Sequence, residues 1–435
     1  MVRDIHGALA AGAAPHAGRR WLMWGLPTFI FLFAFFHRAA PGTIAKELMH
    51  EFDASGAIVG LLAATYFYSY AGFMIPAGVL IDAYGVRRVV SCGGAVMGLG
   101  TLTMAAASSS MLLFAGRLII GLGATVTFIG AVKIAAAWFP PSRFGTLSAM
   151  TATVGILGSI LANFPLAALV VWAGWRGAFT IVGLLILVGC AACFALVRDH
   201  PETTTAGEVV TPGLRAVRAG LRRVVANRDT WPPFVAFFFG YAAMGNLMLW
   251  AIPYLKDVYR LSTPAAALYA TIPTGMMLVS APLTGWLSDA VLRQRKLPYV
   301  ALTLLSTALW TVQAATTGAL PLWGVAALWA LLGLAAGAFV LTWPIGREVN
   351  PPELAGIAVA VVNLGGFLGA ALTQGPLGWV LDARWTGVMA GGARVYPAAA
   401  YTAAFWVCAA FIVAALVSTL CLRETQGQNV YTAPR

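Results

Sequence analysis

The sequence predicts an all-α membrane protein whose twelve transmembrane helices form two pseudo-symmetric six-helix bundles. Of its 435 residues, 60% are hydrophobic and 10% are charged, and the mean hydropathy is +0.83. These values fit neither a soluble globular domain nor a disordered chain. In addition, a polar loop signature that begins at Gly78 returns at Gly285. The chain is therefore predicted to consist of two related halves that span a lipid bilayer.

Each membrane crossing requires about 20 mostly apolar residues in a helix, because backbone groups in hydrocarbon must form their hydrogen bonds within the segment. The first half of the chain contains six such segments, at residues 21–45, 55–79, 89–107, 111–138, 145–172 and 176–197. The second half contains six more, at residues 232–255, 263–287, 297–317, 321–346, 354–380 and 397–422. Pro and Gly occur inside several of them, which packed membrane helices tolerate.

The spans divide the chain into five parts, which are a tail at residues 1–20, a bundle at 21–197, a linker at 198–231, a bundle at 232–422 and a tail at 423–435. The linker is the longest polar stretch. Its second part has Leu214, Val217 and Leu221 at helical spacing, with Arg residues between them. This pattern fits a short helix on an anionic membrane surface, and equally a solvated connector.

The distribution of Lys and Arg predicts the orientation, because positive residues near helix ends are retained on the cytoplasmic side. With both termini inside, eighteen of the 27 Lys and Arg residues lie on the cytoplasmic side, six lie on the outer side, and three lie within spans. We therefore expect a multi-pass protein of the cell membrane with both termini cytoplasmic. The net charge of +12 is explained by this topology, and no nucleic-acid partner is expected.

Both halves carry a loop motif where their second span ends. Its residues are Gly78, Asp82, Gly85, Arg87 and Arg88 in the first half, and Gly285, Asp289 and Arg293 in the second. A second repeat relates the fifth and eleventh spans: Gly145, Gly155, Gly158, Asn163 and Pro165 recur at one offset as Gly356, Gly366, Gly369, Gln374 and Pro376. Paired halves around a central cavity are typical of membrane transporters.

The twelve spans, their six-plus-six division and the first loop motif resemble the major facilitator superfamily over essentially the whole chain. Gly174-Trp175-Arg176 and the Arg117-x-x-x-Gly121 pattern resemble further features of that family. The loop departs from the family at Ala83, where an Arg is usual, and at Val86, which replaces a basic residue.

The resemblance implies a gating role for the loop motifs. Asp82 is expected to meet the amino terminus of the eleventh span near Gly356, where exposed amides and the helix dipole attract a carboxylate. By the same symmetry Asp289 is expected to face the fifth span near Gly145. These contacts would hold the cytoplasmic side closed in an outward-open state. The alternative is a capped loop whose Arg residues only set the topology.

Three cations lie within predicted spans, whereas every Asp and Glu lies at or beyond a span end. The cations are Arg38 in the first span, and Arg117 and Lys133 in the fourth. A charge within a span costs about 3 kcal/mol or more unless it faces a wet cavity or a partner. Arg38 and Lys133 are therefore predicted to bind an anionic substrate. The alternatives are that Arg38 and Lys133 extend toward the membrane surface, and that Arg117 bonds helix carbonyls.

Polar and aromatic residues are predicted to complete the substrate site, since an aromatic lining with a few polar groups fits a small organic ligand. They are Tyr66, Tyr70, Tyr241, Asn246, Trp343 and Asn363. Packing is the alternative role for each of them. His37 is the only group in the path with a pKa near neutrality, so His37 and Arg117 are candidates for proton coupling or for a structural role.

Together these features predict a secondary transporter of a small organic anion, either a carboxylate or a zwitterionic metabolite, that works by alternating access. The expected partners are this substrate, a coupling ion (proton or sodium) or a counter-anion, and the lipid bilayer. No cofactor, metal or enzyme activity is expected. Two alternatives stay open: an exporter of amphipathic compounds such as drugs or siderophores, and a membrane sensor of the same fold that does not transport.

Overall fold

The structure is a computed structural model that describes residues 17–140, 143–201 and 214–432. Most of the predicted amino-terminal tail, residues 202–213 of the linker and the end of the carboxyl-terminal tail lie outside the described residues. The first half forms helices α1 (Ala17–Thr43), α2 (Ala45–Phe52), α3 (Gly56–Tyr84), α4 (Val86–Ala105), α5 (Ser110–Trp138), α6 (Phe144–Leu161) and α7 (Phe164–Leu196). The described part of the linker forms α8 (Leu214–Ala226).

The second half forms α9 (Trp231–Tyr259), α10 (Thr263–Trp286), α11 (Lys296–Ala315), α12 (Leu322–Ala335), α13 (Thr342–Glu348), α14 (Ala355–Asp382) and α15 (Ala398–Leu420). A hairpin of β1 (Met389–Ala390) and β2 (Ala393–Arg394) joins the last two helices. A π-helical segment at Leu287–Leu292 extends α10, and a 3₁₀ segment at Ala336–Leu341 connects α12 to α13 within one span.

The predicted fold class is confirmed. Twelve helical segments in the described part of the chain are long and apolar enough to cross a membrane. Gly174 separates the fifth span from the sixth, because its φ of +70° interrupts the helical run of α7 and favours glycine. The break between α6 and α7 follows from Pro165, which has no N–H to donate to the carbonyl of Leu161.

Each half packs as a bundle with its own apolar core. In the first bundle α4 packs against α5 and α7, while α3 packs against α5 and α1 against α6. In the second bundle α9 packs against α14 and α15, while α11 packs against α15 and α10 against α12. Fully buried aromatic side chains fill both cores, and they include Phe31, Phe67 and Phe179 in the first and Trp250, Trp329 and Phe405 in the second.

The linker helix predicted from the spacing of Leu214, Val217 and Leu221 is present as α8. It packs on the start of α14, where Gly220 lies against Leu354 and Ile357, and Arg223 pairs with Glu353 at 3.2 Å. This contact attaches α8 to the second bundle. Binding of α8 to a membrane surface stays a prediction.

The two bundles meet at one face of the molecule. We call the end that carries Ala17 and Leu420 the terminal face, and the end that carries Thr43 and Gly56 the opposite face. At the opposite face α1 contacts α9, with Gly42 against the backbone of Met248 and Leu249. There α3 also contacts α14, with Gly56 against Gly378. Glycine permits these approaches because any Cβ would meet the backbone of the other bundle.

The bundles diverge toward the terminal face. Four glycines near helix ends at this face have open space where a side chain would extend, namely Gly78, Gly145, Gly285 and Gly356. Over the described residues, the hydrogen bonds and ion pairs that join the two bundles lie at the opposite face. The central path between the bundles is therefore open at the terminal face and closed at the opposite face.

A carboxylate caps one helix of each bundle at the terminal face. Asp199, which follows α7, accepts a hydrogen bond from the backbone N–H of Arg87 at 2.7 Å. Glu424, which follows α15, accepts from the backbone N–H of Arg295 at 2.8 Å and of Lys296 at 2.9 Å. The same arrangement thus occurs at the start of α4 and at the start of α11.

Candidate functional site

Arg38 lies between the two bundles, surrounded by aromatic rings. Its Cζ atom lies 3.9 Å from the ring centre of Phe35, 4.9 Å from Phe367, 5.1 Å from Tyr70 and 6.0 Å from Tyr66. Its Nε donates to the hydroxyl of Tyr66 at 3.5 Å, and that hydroxyl donates to the carbonyl of Ala34 at 3.0 Å. Three of these rings belong to the first bundle, and Phe367 belongs to the second.

The guanidinium of Arg38 is buried without an anionic partner. The residue is 9% exposed, and the described residues place no carboxylate oxygen within 4.0 Å of it. It precedes the end of α1 by five residues, which is about 7 Å along a helix. Cation–π contacts stabilise a desolvated guanidinium, but they do not neutralise its charge. Arg38 therefore retains its capacity to bind an anion in two-pronged geometry.

The rings around Arg38 continue across the path into the second bundle. Phe367 lies 4.8 Å from Tyr70 and 6.4 Å from Tyr241, measured between ring centres. Tyr241 lies 5.6 Å from Phe237, which lies 6.1 Å from Trp343. We call these five residues the ring wall. Five of the predicted site residues, Arg38, Tyr66, Tyr70, Tyr241 and Trp343, thus belong to one continuous cluster.

The ring wall ends at a polar pair. Trp343 of α13 donates its indole N–H to the side-chain oxygen of Asn363 of α14 at 3.0 Å. The structure therefore brings together these two predicted residues, and places them at the second-bundle end of the cluster. Trp343 is 36% exposed on the open side of the path.

Asn246 does not lie with these residues. Its side-chain N–H groups donate to the carbonyl of Ala242 at 2.8 Å and to the hydroxyl of Thr373 at 2.9 Å. Asn246 is 1% exposed and joins α9 to α14 inside the second bundle. The expectation that it lines the central path is wrong for this conformation, because its place on α9 directs it into the seam with α14.

Lys133 was expected to lack an anionic partner, and this expectation is wrong. Its Nζ pairs with the carboxylate of Asp82, and the side chains of Lys133 and Asp82 are 41% and 36% exposed. The physical reason is the length of the lysine side chain. Lys133 is five residues from the end of α5, and its four-carbon stem extends to the last turn of α3. Lys133 therefore lies at the terminal mouth of the path rather than beside Arg38.

Arg117 is fully buried and bonds backbone carbonyls of two neighbouring helices. It donates to His37 at 2.9 Å, to Leu62 at 3.4 Å and to Ala63 at 3.5 Å. The His37 carbonyl would normally accept from the N–H of residue 41, but Pro41 has none. Arg117 supplies the missing donor. Its contacts therefore match the alternative in which Arg117 bonds helix carbonyls.

His37 points into the first bundle rather than into the path. Its Nε2 lies 3.0 Å from the hydroxyl of Thr101, and its ring lies 6.1 Å from Phe179. Because successive residues of a helix point about 100° apart, Arg38 faces the path while His37 faces α4 and α7. A role for His37 in proton coupling stays a prediction.

The loop motif residues are all at the terminal face. Asp82 pairs with Lys133, and Asp289 pairs with Arg295, so neither carboxylate makes the predicted contact with the other bundle in this conformation. Gly85 has a φ of +80°, and its α-carbon faces the carboxylate of Asp199. The remaining motif residues are Gly78, Arg87, Arg88, Gly285 and Arg293, of which Arg88 and Arg293 are exposed.

The closure at the opposite face uses charged residues that the sequence analysis did not select. Asp382, the last residue of α14, accepts from the backbone N–H of Gly56 at 2.9 Å and of Ala57 at 2.8 Å. It thereby binds the amino terminus of α3, where exposed amides and the helix dipole favour a carboxylate. Arg394 and Tyr396 also donate to Asp382, at 3.1 Å and 2.7 Å.

A second ion pair at this face joins Lys46 of α2 to Asp257 of α9 at 2.7 Å. Opposite charges at the outer ends of the first and seventh spans are a sequence signal that could have predicted it. A cleft of about 420 Å³ opens beside this pair and is lined by Lys256, Arg260 and Arg394 among others. Most of its cations already have anionic or hydroxyl partners, so the site at Arg38 is the better candidate for anion binding.

The twelve spans in two bundles define the class as a membrane transporter. The chain belongs to the Major Facilitator Superfamily, whose family model matches residues 28–374. This is a family of transporters and not of enzymes, as predicted.

The chain is also similar to individual proteins. It is 24% identical over 378 residues to the probable galactarate/D-glucarate transporter GarP of Escherichia coli K12, covering 79% of this chain and 84% of that protein. It is 26% identical over 404 residues to the membrane sensor protein UhpC of Salmonella typhimurium, covering 85% and 86%. A solved bacterial homolog of the human lysosomal transporter Spinster matches with a TM-score of 0.77 at 18% identity, covering 94% of this chain and 96% of that chain, which supports the fold.

Proposed function

We propose that the protein moves a small organic anion across the cell membrane by alternating access, and that Arg38 binds the anionic group. The observation that carries this proposal is the buried guanidinium of Arg38, which lies at the bundle interface among four aromatic rings and has no carboxylate partner among the described residues. An unpaired charge in a span costs about 3 kcal/mol or more. A bound carboxylate offsets that cost and makes charge-assisted hydrogen bonds.

The position of Arg38 suits alternating access. The ring of Phe367 from α14 covers the guanidinium, while Phe35, Tyr66 and Tyr70 belong to the first bundle. A substrate at Arg38 therefore contacts both bundles, and any movement of one bundle against the other changes its surroundings. The name of GarP, which refers to two sugar diacids, supports an organic anion as the class of substrate.

The proposed orientation places both termini in the cytoplasm, as the excess of Lys and Arg at the terminal face favours. The path is then open to the cytoplasm in this structure, and the closure by Asp382 and Lys46 lies on the outer side. The coupling partner would be a proton, sodium or a counter-anion. Because no described carboxylate lies near Arg38, we favour exchange of one anion for another.

Arg38 substitutions test this proposal. In proteoliposomes that contain purified protein, Arg38→Lys and Arg38→Gln should lower the uptake of a transported organic acid, and its apparent Kd should rise about 10- to 100-fold, because the two-pronged bond is lost. Arg143→Gln is the matched control, since Arg143 is exposed at the terminal face. Unchanged Kd in Arg38→Gln would contradict a binding role for Arg38.

A sensor that does not transport is the second candidate function, because the similar protein UhpC is named a membrane sensor. The two functions differ in one measurement. A transporter carries labelled organic acid into proteoliposomes that contain this protein alone, whereas a sensor binds the acid with the same dependence on Arg38 and produces no flux.

A further inference from the structure

We infer that the substrate carries a single anionic group on an aromatic or otherwise apolar body, and is not a hydroxylated diacid. This inference rests on the proposed function, which assigns the anionic group to Arg38. It concerns what the rest of the substrate must be, given the side chains that face it.

Few cations of the protein can reach the site. Arg38 is the one described Lys or Arg in the central cluster. Arg117 is committed to three backbone carbonyls behind Tyr66, and Lys133 is paired with Asp82 at the terminal mouth. In the second bundle every Lys and Arg lies at or beyond a helix end. A second carboxylate on the substrate would therefore face rings rather than a cation, and a desolvated charge without a partner is strongly unfavourable.

The surface that extends from Arg38 into the second bundle is aromatic. The ring wall runs from Tyr70 through Phe367, Tyr241 and Phe237 to Trp343. Phe67 and Phe339 pack against Tyr241 from either side. A ligand body in this position meets ring faces and edges, which favour apolar and aromatic groups.

The cluster offers a ligand few free hydrogen-bonding groups. Two polar groups of the cluster are already bonded to protein atoms, since Tyr66 donates to the carbonyl of Ala34 and Trp343 donates to Asn363. Asn246 donates its side-chain N–H groups inside the second bundle, away from the ring wall, although its buried Oδ1 accepts no hydrogen bond from a described residue. The phenol hydroxyls of Tyr70 and Tyr241 are left for a ligand. A sugar acid brings more hydroxyl groups than these two can bond, and each hydroxyl left unpaired lowers its affinity.

Four probe compounds separate these possibilities. Phenylacetate has one carboxylate and an aromatic body, gluconate has one carboxylate and many hydroxyls, galactarate is a hydroxylated diacid, and phenylacetamide is the neutral analogue of phenylacetate. Their Kd values are measured by calorimetry on the purified full chain, and the same titrations are repeated with Phe367→Leu and Arg38→Gln. Phe367→Leu keeps an apolar side chain, so it preserves packing while it removes the ring.

Phenylacetate should bind at least 10-fold more tightly than gluconate, galactarate and phenylacetamide. Phe367→Leu should weaken phenylacetate several-fold and leave gluconate unchanged, whereas Arg38→Gln should weaken every acid. Galactarate or gluconate binding as tightly as phenylacetate, with dependence on Arg38, would overturn this inference and leave the proposed function intact. Binding of phenylacetamide as tightly as phenylacetate, together with no effect of Arg38→Gln on any acid, would overturn both.

Discussion

Arg38 and Arg117 are both buried arginines in the first bundle, but their surroundings differ in kind. Arg117 donates to the carbonyls of His37, Leu62 and Ala63. Arg38 instead contacts tyrosine hydroxyls, that of Tyr66 at 3.5 Å, and is enclosed by aromatic rings. The first arrangement satisfies the backbone, and the second leaves a cation that a ligand can neutralise. Substitution of Arg117 should therefore mainly lower stability, whereas substitution of Arg38 should mainly weaken anion binding.

Arg117→Leu should lower the free energy of unfolding by about 1–3 kcal/mol, because the His37 carbonyl, which cannot accept from Pro41, then loses the donor that Arg117 supplies. Thermal unfolding of purified protein, followed by tryptophan fluorescence, measures this change. Arg38→Gln serves as the comparison: it should weaken anion binding about 10- to 100-fold with little loss of stability. If Arg117→Leu instead weakened anion binding at unchanged stability, Arg117 would be a ligand of the substrate.

The helices α4 and α11 begin in the same way, which shows how the repeat is built. Each follows a polar loop, and each has its first amides bound by a carboxylate that comes just after the last helix of its own bundle. Asp199 serves α4, and Glu424 serves α11. Burial disfavours the charged form of Glu424, but the amides of Arg295, Gln426, Lys296 and Thr425 outweigh it and lower the pKa of this carboxyl.

The stabilisation from Glu424 should depend on pH. Since the folded pKa lies below the unfolded value of about 4.3, the contribution is present above that value and is lost as the pH falls through the folded pKa. Glu424→Gln should lower the free energy of unfolding at pH 7 by about 1 kcal/mol. This difference from the unsubstituted protein should shrink below about pH 4. Thermal unfolding scans from pH 7 to pH 3.5 measure it, and a difference that stays constant across this range would rule out the charged cap.

In the whole molecule, α3 and α14 are joined at the opposite face through one carboxylate. Asp382 at the end of α14 binds the first amides of α3 and is itself oriented by Arg394 and Tyr396. The sequence analysis predicted a related contact at the other ends of the same two helices, between Asp82 and the start of α14. We propose that the two contacts alternate, because rocking of the bundles closes one face as it opens the other.

Asp382→Asn should shift the population toward a conformation that is open at the opposite face, because a neutral amide binds the helix amino terminus less strongly than a carboxylate. Spin labels at Ser108→Cys and Arg384→Cys, on the two bundles at that face, report the separation by pulsed electron resonance. The distance distribution should move to longer values. Asp53→Asn is the control, since Asp53 is exposed at the same face and forms no hydrogen bond or ion pair with the described residues of the second bundle. The same distribution in Asp382→Asn and in the control would refute this role.

Much of the fold could be predicted because its signals are local. Apolar length identifies each span, Gly174 separates the fifth from the sixth, and the repeated loop motifs reveal the two halves. The charge of Arg38 within an apolar helix was likewise sufficient to select it. Its neighbours Tyr66, Tyr70 and Tyr241 were selected because an aromatic lining with a few polar groups fits a small organic ligand.

Other contacts depend on the rotation and ends of helices, which hydropathy does not specify. Lys133 was predicted to lie beside the substrate because the sequence does not show how the last turns of α3 and α5 align. Asn246 was predicted to line the path because the sequence does not show which side of α9 faces the path. Phe367 and Asp382 carried no local signal that linked them to residues about three hundred positions away.

The amino-acid sequence was enough to establish the membrane environment, the number of spans, the division into halves and the presence of a cation within the first span, because each follows from composition or from neighbouring residues along one helix. The three-dimensional arrangement settled which cations have partners, which rings enclose Arg38, and which face of the molecule is closed. Those properties arise from contacts between helices that are distant in the chain, and such contacts depend on how the two bundles are oriented against each other.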